Sequence, residues 1–285
     1  MKTVVVTGAT SGIGLAACRE LAKLGYGIIG VGRNADRCAG TAEALQGEFP
    51  EASIAYFCAD LSRQAEVLRV GREIRSHVEE KCEGKLRALV SNAGGVRSYY
   101  TTTEDGYETV FALNHLAGFL LSHALLPCLK AGGGRLLVTS SASHKGTRVN
   151  WRDIMFRRRY NPLAVYKQSK LLNALFAFGF RDRFSGLGVS AACVDPGLVR
   201  TEIGLKDTGG LVKFVWGLRM KRGVEPEVPA RAFARLIDAE EPPRALYYRG
   251  AKPARHSRQV NRKNADRLWN LSEQLSGAHR EEAKT

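Results

Sequence analysis

The sequence lacks long hydrophobic runs, and this absence bears on its relation to membranes. No segment is apolar over the roughly 18 to 20 residues that a membrane-spanning helix needs. The amino terminus begins directly on a strand-like pattern, so we expect no signal peptide. We therefore expect no integral membrane segment and a cytoplasmic location.

Paired cysteines and paired histidines are also missing. The six cysteines stand far apart without a CxxC pair, and the six histidines form neither an HExxH nor an HxH pattern. Zinc sites and redox dithiols depend on such short spacings. We therefore expect reduced, mostly buried cysteines and a chemistry that uses no metal.

Acidic residues are fewer than basic ones. The sequence has 28 aspartates and glutamates and 43 lysines and arginines, which gives a net charge of +15. Clustered cations can bind nucleic acid or an anionic membrane surface. The densest stretches, at 157–159, 213–222 and 252–263, are mixed with apolar and turn residues, and none belongs to a recognised nucleic-acid-binding motif. We expect no nucleic-acid partner. Binding of nucleic acid or of an anionic membrane surface through the basic segment 213–222 is kept as an alternative hypothesis.

Short β-branched runs alternate with longer amphipathic stretches through the first two hundred residues. The runs that predict strands lie at 3–6, 27–31, 54–58, 86–90, 136–138, 189–194 and, later, 245–248. The stretches that predict helices include 15–24, 64–80, 107–129, 163–184 and 228–238. This alternation predicts an α/β fold: a Rossmann-type, doubly wound parallel sheet of about seven strands with helices on both faces, in a single domain over residues 1–285.

The pattern changes near residue 200, where glycines interrupt an apolar and basic segment. We expect a substrate lid at about 202–225, and the role of its basic part, 213–222, stays open. Phe214 and Trp216 are expected either to line an apolar substrate pocket or to pack the lid. Residues 277–285 are expected to be frayed.

A glycine-rich turn joins the first predicted strand to the first predicted helix. Its residues are Gly8, Ser11, Gly12, Ile13 and Gly14, within the segment TGATSGIG. Glycine allows the backbone to approach a pyrophosphate closely, and the start of a helix is positively polarised. The turn therefore predicts a dinucleotide-binding site.

The spacing of these glycines resembles the TGxxxGxG signature of the short-chain dehydrogenase/reductase family. Further landmarks of that family follow in order: Asp60-Leu61, Asn92-Ala93-Gly94, Asn114, Ser140-Ser141, Tyr166-x-x-x-Lys170 and Pro196-Gly197. Details at 103–108, 114–116 and 268–272 are similar to the retinol-dehydrogenase and protochlorophyllide-reductase-like branch. Ala117-Gly118 departs from the Gly-His that is usual in that branch, so the resemblance does not specify the substrate.

The predicted catalytic residues are Asn114, Ser141, Tyr166 and Lys170. Tyr166 and Lys170 stand four apart on a predicted helix, and an ammonium close to a phenol lowers the pKa of the phenol. Tyr166 can then act as a general acid or base. The resemblance implies that Lys170 holds the nicotinamide ribose, that Ser141 binds the substrate oxygen, and that Asn114 fixes a water on the path to Lys170. The alternative is a Tyr166 packed in the core and a solvated Lys170.

The preference for NADP(H) is predicted from the end of the second strand. An acidic residue there would bind the adenosine ribose of NAD, whereas Gly32 is neutral and Arg33 is basic. Arg33 can pair with a 2′-phosphate, and Arg37 lies one helical turn further on. The other residues expected to contact the cofactor are Asn34, Asp60, Leu61, Asn92, Ala93, Gly94, Tyr166, Lys170, Pro196, Gly197, Val199 and Thr201.

A nucleophilic serine at Ser140-Ser141 is not favoured. No Gly-x-Ser-x-Gly pattern surrounds these residues, and His144 is too close in sequence to complete a catalytic triad. We interpret His144 as a loop histidine and leave open whether it borders the substrate cleft.

The sequence thus predicts an NADP(H)-dependent oxidoreductase that acts on a lipophilic carbonyl or alcohol, such as a retinoid-, steroid- or quinone-like molecule. The alternative is a catalytically silent NADP-binding regulatory or scaffold protein. The resemblance also implies that the helices at 107–129 and 163–184 can form a homodimer, although nothing in the sequence requires it.

Overall fold

A computed structural model describes residues 1–200 and 223–277. Thr201, nearly all of the expected lid and the terminal residues 278–285 lie outside the described residues.

The β-branched runs form one sheet. Its strands are β1 (Thr3–Thr7), β2 (Gly27–Gly32), β3 (Ile54–Cys58), β4 (Ala88–Ser91), β5 (Arg135–Thr139), β6 (Ser190–Asp195), β7 (Tyr247–Arg249) and β8 (Lys252–Pro253). Their order is β3-β2-β1-β4-β5-β6-β7-β8, parallel as far as β7. The predicted α/β fold is confirmed. The unpredicted strand is β8, which pairs antiparallel with β7 and is too short to show any alternation.

Along the chain, the helices of the described part lie between the strands, except for the last helix, which follows β8. They are α1 (Gly12–Lys23), α2 (Ala35–Glu48), α3 (Gln64–Lys81), α4 (Thr109–Phe111), α5 (Ala117–Ala124), α6 (Leu126–Ala131), α7 (Pro162–Phe184), α8 (Glu227–Asp238) and α9 (Arg262–Ser276). None of the helices within residues 1–200 and 223–277 is both long and apolar enough to cross a membrane.

Both faces of the sheet are buried, as the central strand β1 illustrates. Successive side chains of a strand point to opposite faces, and Val4, Val5 and Val6 are all fully buried. Val4 and Val6 pack in the core that α1, α2 and α8 cover, whereas Val5 packs in the core that α3, α5 and α7 cover. Helices on both faces are the reason that these strands are continuous apolar runs.

The chain reverses its direction of progress across the sheet at β1. β2 pairs with one edge of β1 and β4 with the other, so the connections after β1 and β4 diverge. In a doubly wound sheet, this divergence opens a crevice at the carboxyl ends of the strands. The fold therefore places the glycine-rich turn and the loop after β4 on the two sides of one crevice.

The helix predicted over 107–129 is divided into shorter elements. Glu108 caps the first turn of α4, because its carboxylate accepts hydrogen bonds from the amides of Val110 and Phe111 at 2.9 and 2.7 Å. A π-helical turn, Ala112–Leu116, separates α4 from α5. A proline in the first turn of α6 starts a new helix, since proline has no amide hydrogen to continue the preceding one.

Helix α9 packs against α5 and α7, the helices expected to form a homodimer. The ring of Trp269 lies 5.0 Å from that of Phe119 and 5.9 Å from that of Phe184. A Cβ at Gly179 would lie only 3.2 Å from the Trp269 indole, so this glycine allows the close approach of α9. A homodimer formed through this face would have to contact or displace α9.

Candidate active site

The glycine-rich turn has the geometry of an anion-binding loop. Gly8 and Gly12 have φ angles of 67° and 53°, in the left-handed region that favours glycine. A Cβ at Gly14 would overlap the carbonyl oxygen of Gly8. The first turn of α1 has no acidic residue, and the exposed Ser11 at its N-cap makes no side-chain capping bond. The amide groups at this helix start can therefore point at a bound phosphate.

Tyr56 on β3 supports this turn, a role that was not predicted from the sequence. Its hydroxyl donates to the carbonyl oxygen of Ala9 at 3.1 Å. Its ring occupies the space that a Cβ at Gly30 would need. The one available signal was a glycine in the middle of β2, which often marks the close approach of another group.

A cavity of about 630 Å³ opens beside the turn. The predicted cofactor residues that line it are Gly8, Arg33, Asn34, Arg37, Asp60, Leu61, Ala93 and Gly94. Arg33 and Arg37 are exposed, and Arg97, which was not predicted, also lines the cavity. The amino end of α2 thus brings two cations to one end of the crevice.

Two predicted cofactor residues in this cavity have local roles. The side chain of Asn34 caps α2 by accepting from the amide of Arg37 at 2.8 Å. Asp60 accepts from the amide and the hydroxyl of Ser62 at 3.0 and 2.8 Å. These bonds shape the loops after β2 and β3 around the cavity.

Asn92 connects the ends of three strands. Its side-chain amide donates to the carbonyl oxygen of Thr7 at 3.1 Å, and its side-chain oxygen accepts from the hydroxyl of Thr139 at 3.2 Å. The hydroxyl oxygen of Thr7 accepts from the amides of Asn92 and Ala93, both at 2.9 Å. Asn92 therefore holds β1, β4 and β5 together, while the next two residues line the cavity.

Lys170 is buried beside Tyr166 on α7. Its Nζ lies 5.5 Å from the centroid of the Tyr166 ring and donates to the carbonyl oxygen of Thr139 at 3.4 Å. Only 3% of Lys170 is exposed. Burial lowers the pKa of Lys170 to about 8, and the nearby Cys193 and Asp195 oppose this shift. The alternative of a solvated helix charge is therefore wrong for Lys170.

Tyr166 is half-buried, and it packs against Val96 and Leu163. Val96 is one of the residues that line the cavity. A Cβ added to Gly94 would lie 3.8 Å from the Lys170 Nζ. These contacts place the Tyr166 and Lys170 pair against the loop that follows β4.

Asn114 lies in the π-helical turn and bonds to the same loop. Its side-chain oxygen accepts from the amide of Gly95 at 2.8 Å, and its side-chain nitrogen donates to the carbonyl oxygen of Gly95 at 3.0 Å. The same nitrogen donates at 2.9 Å to the hydroxyl of Ser169, which donates at 2.9 Å to the carbonyl oxygen of Tyr166. Single π-helical turns, such as the one that contains Asn114, are frequent at functional sites. Asn114 thus ties the loop to α7 through Ser169, which was not predicted from the sequence.

Ser141 follows β5 at the same edge of the sheet. Its hydroxyl oxygen accepts from the amide of Ser143 at 3.2 Å and caps the short turn Ala142–His144. The hydroxyl of Ser140 donates to the carbonyl oxygen of Lys170 at 2.9 Å. The end of β5 is therefore bonded directly to α7. His144, interpreted from the sequence as a loop histidine, lies in this short turn and is fully buried.

The loop after β6 begins with Pro196 and Gly197. Asp195 accepts from the amide of Gly197 at 2.9 Å, and Gly197 has a φ angle of 76°. Val199 forms an isolated bridge with Val224, on the other side of the undescribed segment. The described part of the chain has no group of three or more histidine, cysteine, aspartate or glutamate residues placed to hold a metal ion.

Residues 2–208 match the short chain dehydrogenase family, and the chain belongs to this family of oxidoreductases. Two relatives define the branch. Retinol dehydrogenase 13 from Homo sapiens is 34% identical, with an alignment that covers 97% of this chain and 85% of that protein. Retinol dehydrogenase 12 from Mus musculus is 33% identical over 97% of this chain and 86% of that protein. The chain is therefore a short-chain dehydrogenase/reductase of the retinol-dehydrogenase branch.

Solved structures share the fold. An uncharacterized protein from Mycobacterium paratuberculosis superposes with a TM-score of 0.74 and 27% identity, over 97% of this chain and 94% of that one. A short-chain dehydrogenase from Sphingobium yanoikuyae in complex with NADPH gives a TM-score of 0.67 and 24% identity, over 87% of each chain.

Proposed function

We propose that this protein is an NADP(H)-dependent oxidoreductase that interconverts a lipophilic carbonyl compound and its alcohol. The observation that carries the proposal is the buried Lys170, 5.5 Å from the ring centroid of Tyr166, against the loop that also lines the crevice. Burying an ammonium in a protein costs free energy. A buried ammonium beside a phenol is therefore a candidate functional group.

The residues of the crevice fit a dinucleotide. Gly8 and Gly14 allow the turn to pack tightly on itself and on the loop after β4, and α1 offers its amide groups to a pyrophosphate. Arg33 and Arg37 line the end of the cavity beside β2, where they can bind a 2′-phosphate. When bound there, NADP(H) would supply or accept the hydride.

The chain's own residues handle the proton. Below a pH of about 8, Lys170 is charged, and it favours the ionised form of the neighbouring phenol. Tyr166 can then give its proton to a carbonyl oxygen in reduction, or take one from an alcohol in oxidation. The hydroxyl of Ser141 donates to the same substrate oxygen, and Asn114 holds the loop and α7 in register.

Apolar surface supports the lipophilic substrate. Leu198 and Val224, on either side of the undescribed segment, are 49% and 42% exposed, and the Val224 amide donates to the carbonyl oxygen of Leu198 at 2.9 Å. Relatives carry names of lipophilic alcohols: besides the retinol dehydrogenases, polyprenol dehydrogenase from Mus musculus is 34% identical over 71% of this chain and 61% of that protein. We infer a substrate of that class.

The Arg33→Ala substitution tests the cofactor. A charge-assisted hydrogen bond contributes about 1.5–3 kcal/mol, and the exposure of Arg33 places its effect at the lower end. We expect NADPH affinity, measured by nicotinamide fluorescence, to fall about tenfold while NADH affinity stays unchanged. Arg75→Ala, which alters a partly exposed arginine on α3 paired with Glu79, should change neither. Equal weakening of both cofactors would contradict the role of Arg33, and no binding of either by the wild-type protein would overturn the proposed function.

The low pKa of Lys170 gives a pH dependence. The ammonium is present below pH about 8 in the free protein and is lost as the pH rises through that value. If the charged form binds the cofactor ribose, cofactor binding raises this pKa, so NADPH affinity should begin to fall above pH about 8. Titrations from pH of about 6.5 to about 9.5 should show this fall in the wild-type protein and a weaker, flat affinity in Lys170→Met. A flat wild-type profile would show that the Lys170 charge does not contribute to cofactor binding.

A further inference from the structure

The His144 ring is fully buried, and both of its nitrogens form hydrogen bonds with the main chain. Its Nδ1 lies 2.6 Å from the carbonyl oxygen of Ser141, and its Nε2 lies 3.0 Å from the amide nitrogen of Ser257. An amide nitrogen can only donate, so Nε2 is the acceptor. Nδ1 therefore carries the proton and donates it to Ser141. The two neighbours define one tautomer of the ring.

The surroundings keep this ring neutral. Burial lowers the pKa of His144, and the hydrogen bond to the Ser141 carbonyl opposes this shift. The titratable groups that act on the ring are Lys145, Asp195 and His256, and the ring of Tyr247 packs against it with 4.8 Å between the ring centroids. A second proton would place Nε2–H against the amide hydrogen of Ser257, so the observed contacts require the neutral form.

The Ser141 carbonyl matters because the main chain sets the direction of the Ser141 side chain. Ser141 is extended, with φ −164° and ψ 150°, and its hydroxyl oxygen accepts from the amide of Ser143. That bond leaves the hydroxyl hydrogen to donate to a substrate oxygen. A rotation of the main chain at Ser141 would move this donor away from the position proposed for the substrate oxygen.

We propose that His144 is a positioning residue that holds the main chain of Ser141 so that the hydroxyl of this serine meets the reacting oxygen. Through Ser257, it also ties the segment between β8 and α9 to that serine. The proposal rests on the proposed function, because it assigns Ser141 a bond to the substrate.

A double-mutant cycle tests whether His144 acts through Ser141. The variants are His144→Phe, which keeps a ring against Tyr247, Ser141→Ala and the combination of both, assayed with NADPH and retinal as a lipophilic aldehyde. We expect His144→Phe alone to lower kcat about tenfold with NADPH affinity unchanged, and to lower it less than about twofold when Ser141 is already alanine. The same tenfold loss in both backgrounds would mean a general structural role and would overturn the inference.

Conservative variants separate the two hydrogen bonds of the ring. In His144→Asn, the side-chain amide nitrogen can donate where Nδ1 does, so this variant should recover kcat to within about threefold of wild type. His144→Gln offers an acceptor to Ser257 instead and should not recover it. Recovery by glutamine and not by asparagine would overturn the inference, and this comparison decides even if His144→Phe does not fold. A wild-type protein that binds NADPH without turning over any carbonyl substrate would count against the proposed function itself.

Discussion

Replacing Tyr166 by phenylalanine is expected to abolish turnover and to leave NADPH binding largely intact. The substitution removes the phenolic proton and keeps the ring that packs against Val96 and Leu163. General acid–base catalysis contributes about 10²- to 10⁴-fold to a rate, so kcat should fall by that factor. The measurement is NADPH oxidation with a lipophilic aldehyde, beside a fluorescence titration of the cofactor.

A matched control is Tyr26→Phe. The Tyr26 hydroxyl donates to Asp238 of α8 at 3.0 Å, and this residue does not line the cavity. Loss of the Tyr26 hydroxyl should lower the free energy of unfolding and leave kcat unchanged. If Tyr166→Phe retained wild-type turnover, the assigned proton transfer would be refuted. If the wild-type protein bound NADPH but turned over no carbonyl substrate, the catalytically silent alternative would be favoured.

The substitution Gly14→Ala should remove most cofactor binding. A Cβ at this position overlaps the Gly8 carbonyl oxygen and comes within 2.9 Å of the Asn92 side-chain nitrogen, so the turn must open. Overpacking costs about 1–3 kcal/mol, and backbone atoms cannot relieve it by changing a rotamer. We expect NADPH and NADH affinities to fall together, by about 10- to 100-fold, because the pyrophosphate is common to both.

Gly47→Ala is the control for this substitution. Gly47 is also in a helix, but a Cβ there meets no atom within 4 Å. Alanine is the better helix former, so this variant should be slightly more stable and should bind both cofactors normally. Thermal unfolding followed by circular dichroism separates loss of binding from loss of fold. Unchanged NADPH affinity in Gly14→Ala would place the pyrophosphate elsewhere.

The substitutions test two parts of the proposed function. We propose that Arg33 and Gly14 act on cofactor binding, whereas Tyr166 and Ser141 act on the proton and the substrate oxygen. Lys170 is proposed to contribute to both, because its Nζ lies near the Tyr166 ring and against the loop after β4. A variant that changes cofactor affinity alone and another that changes kcat alone would support this division.

The succession of strands and helices along the chain was predictable because it depends on local periodicity. Alternating apolar runs and amphipathic stretches lie within short windows of sequence, and a parallel sheet follows from their alternation. The glycine-rich turn and the spacing of Tyr166 and Lys170 are local in the same sense. Within the described residues, strands β1 to β7 follow from these patterns, and β8 does not because a strand of two residues carries no period.

The tertiary structure alone decided the surroundings of the site residues. The burial of Lys170, the bonds from Asn114 to Gly95 and Ser169, and the bond between His144 and Ser257 all join segments far apart in the chain. No local pattern encodes the partner of a polar side chain, because the partner comes from whichever element packs beside it. The sequence by itself thus determined which groups are available for chemistry, and packing determined which of them are buried, bonded and charged.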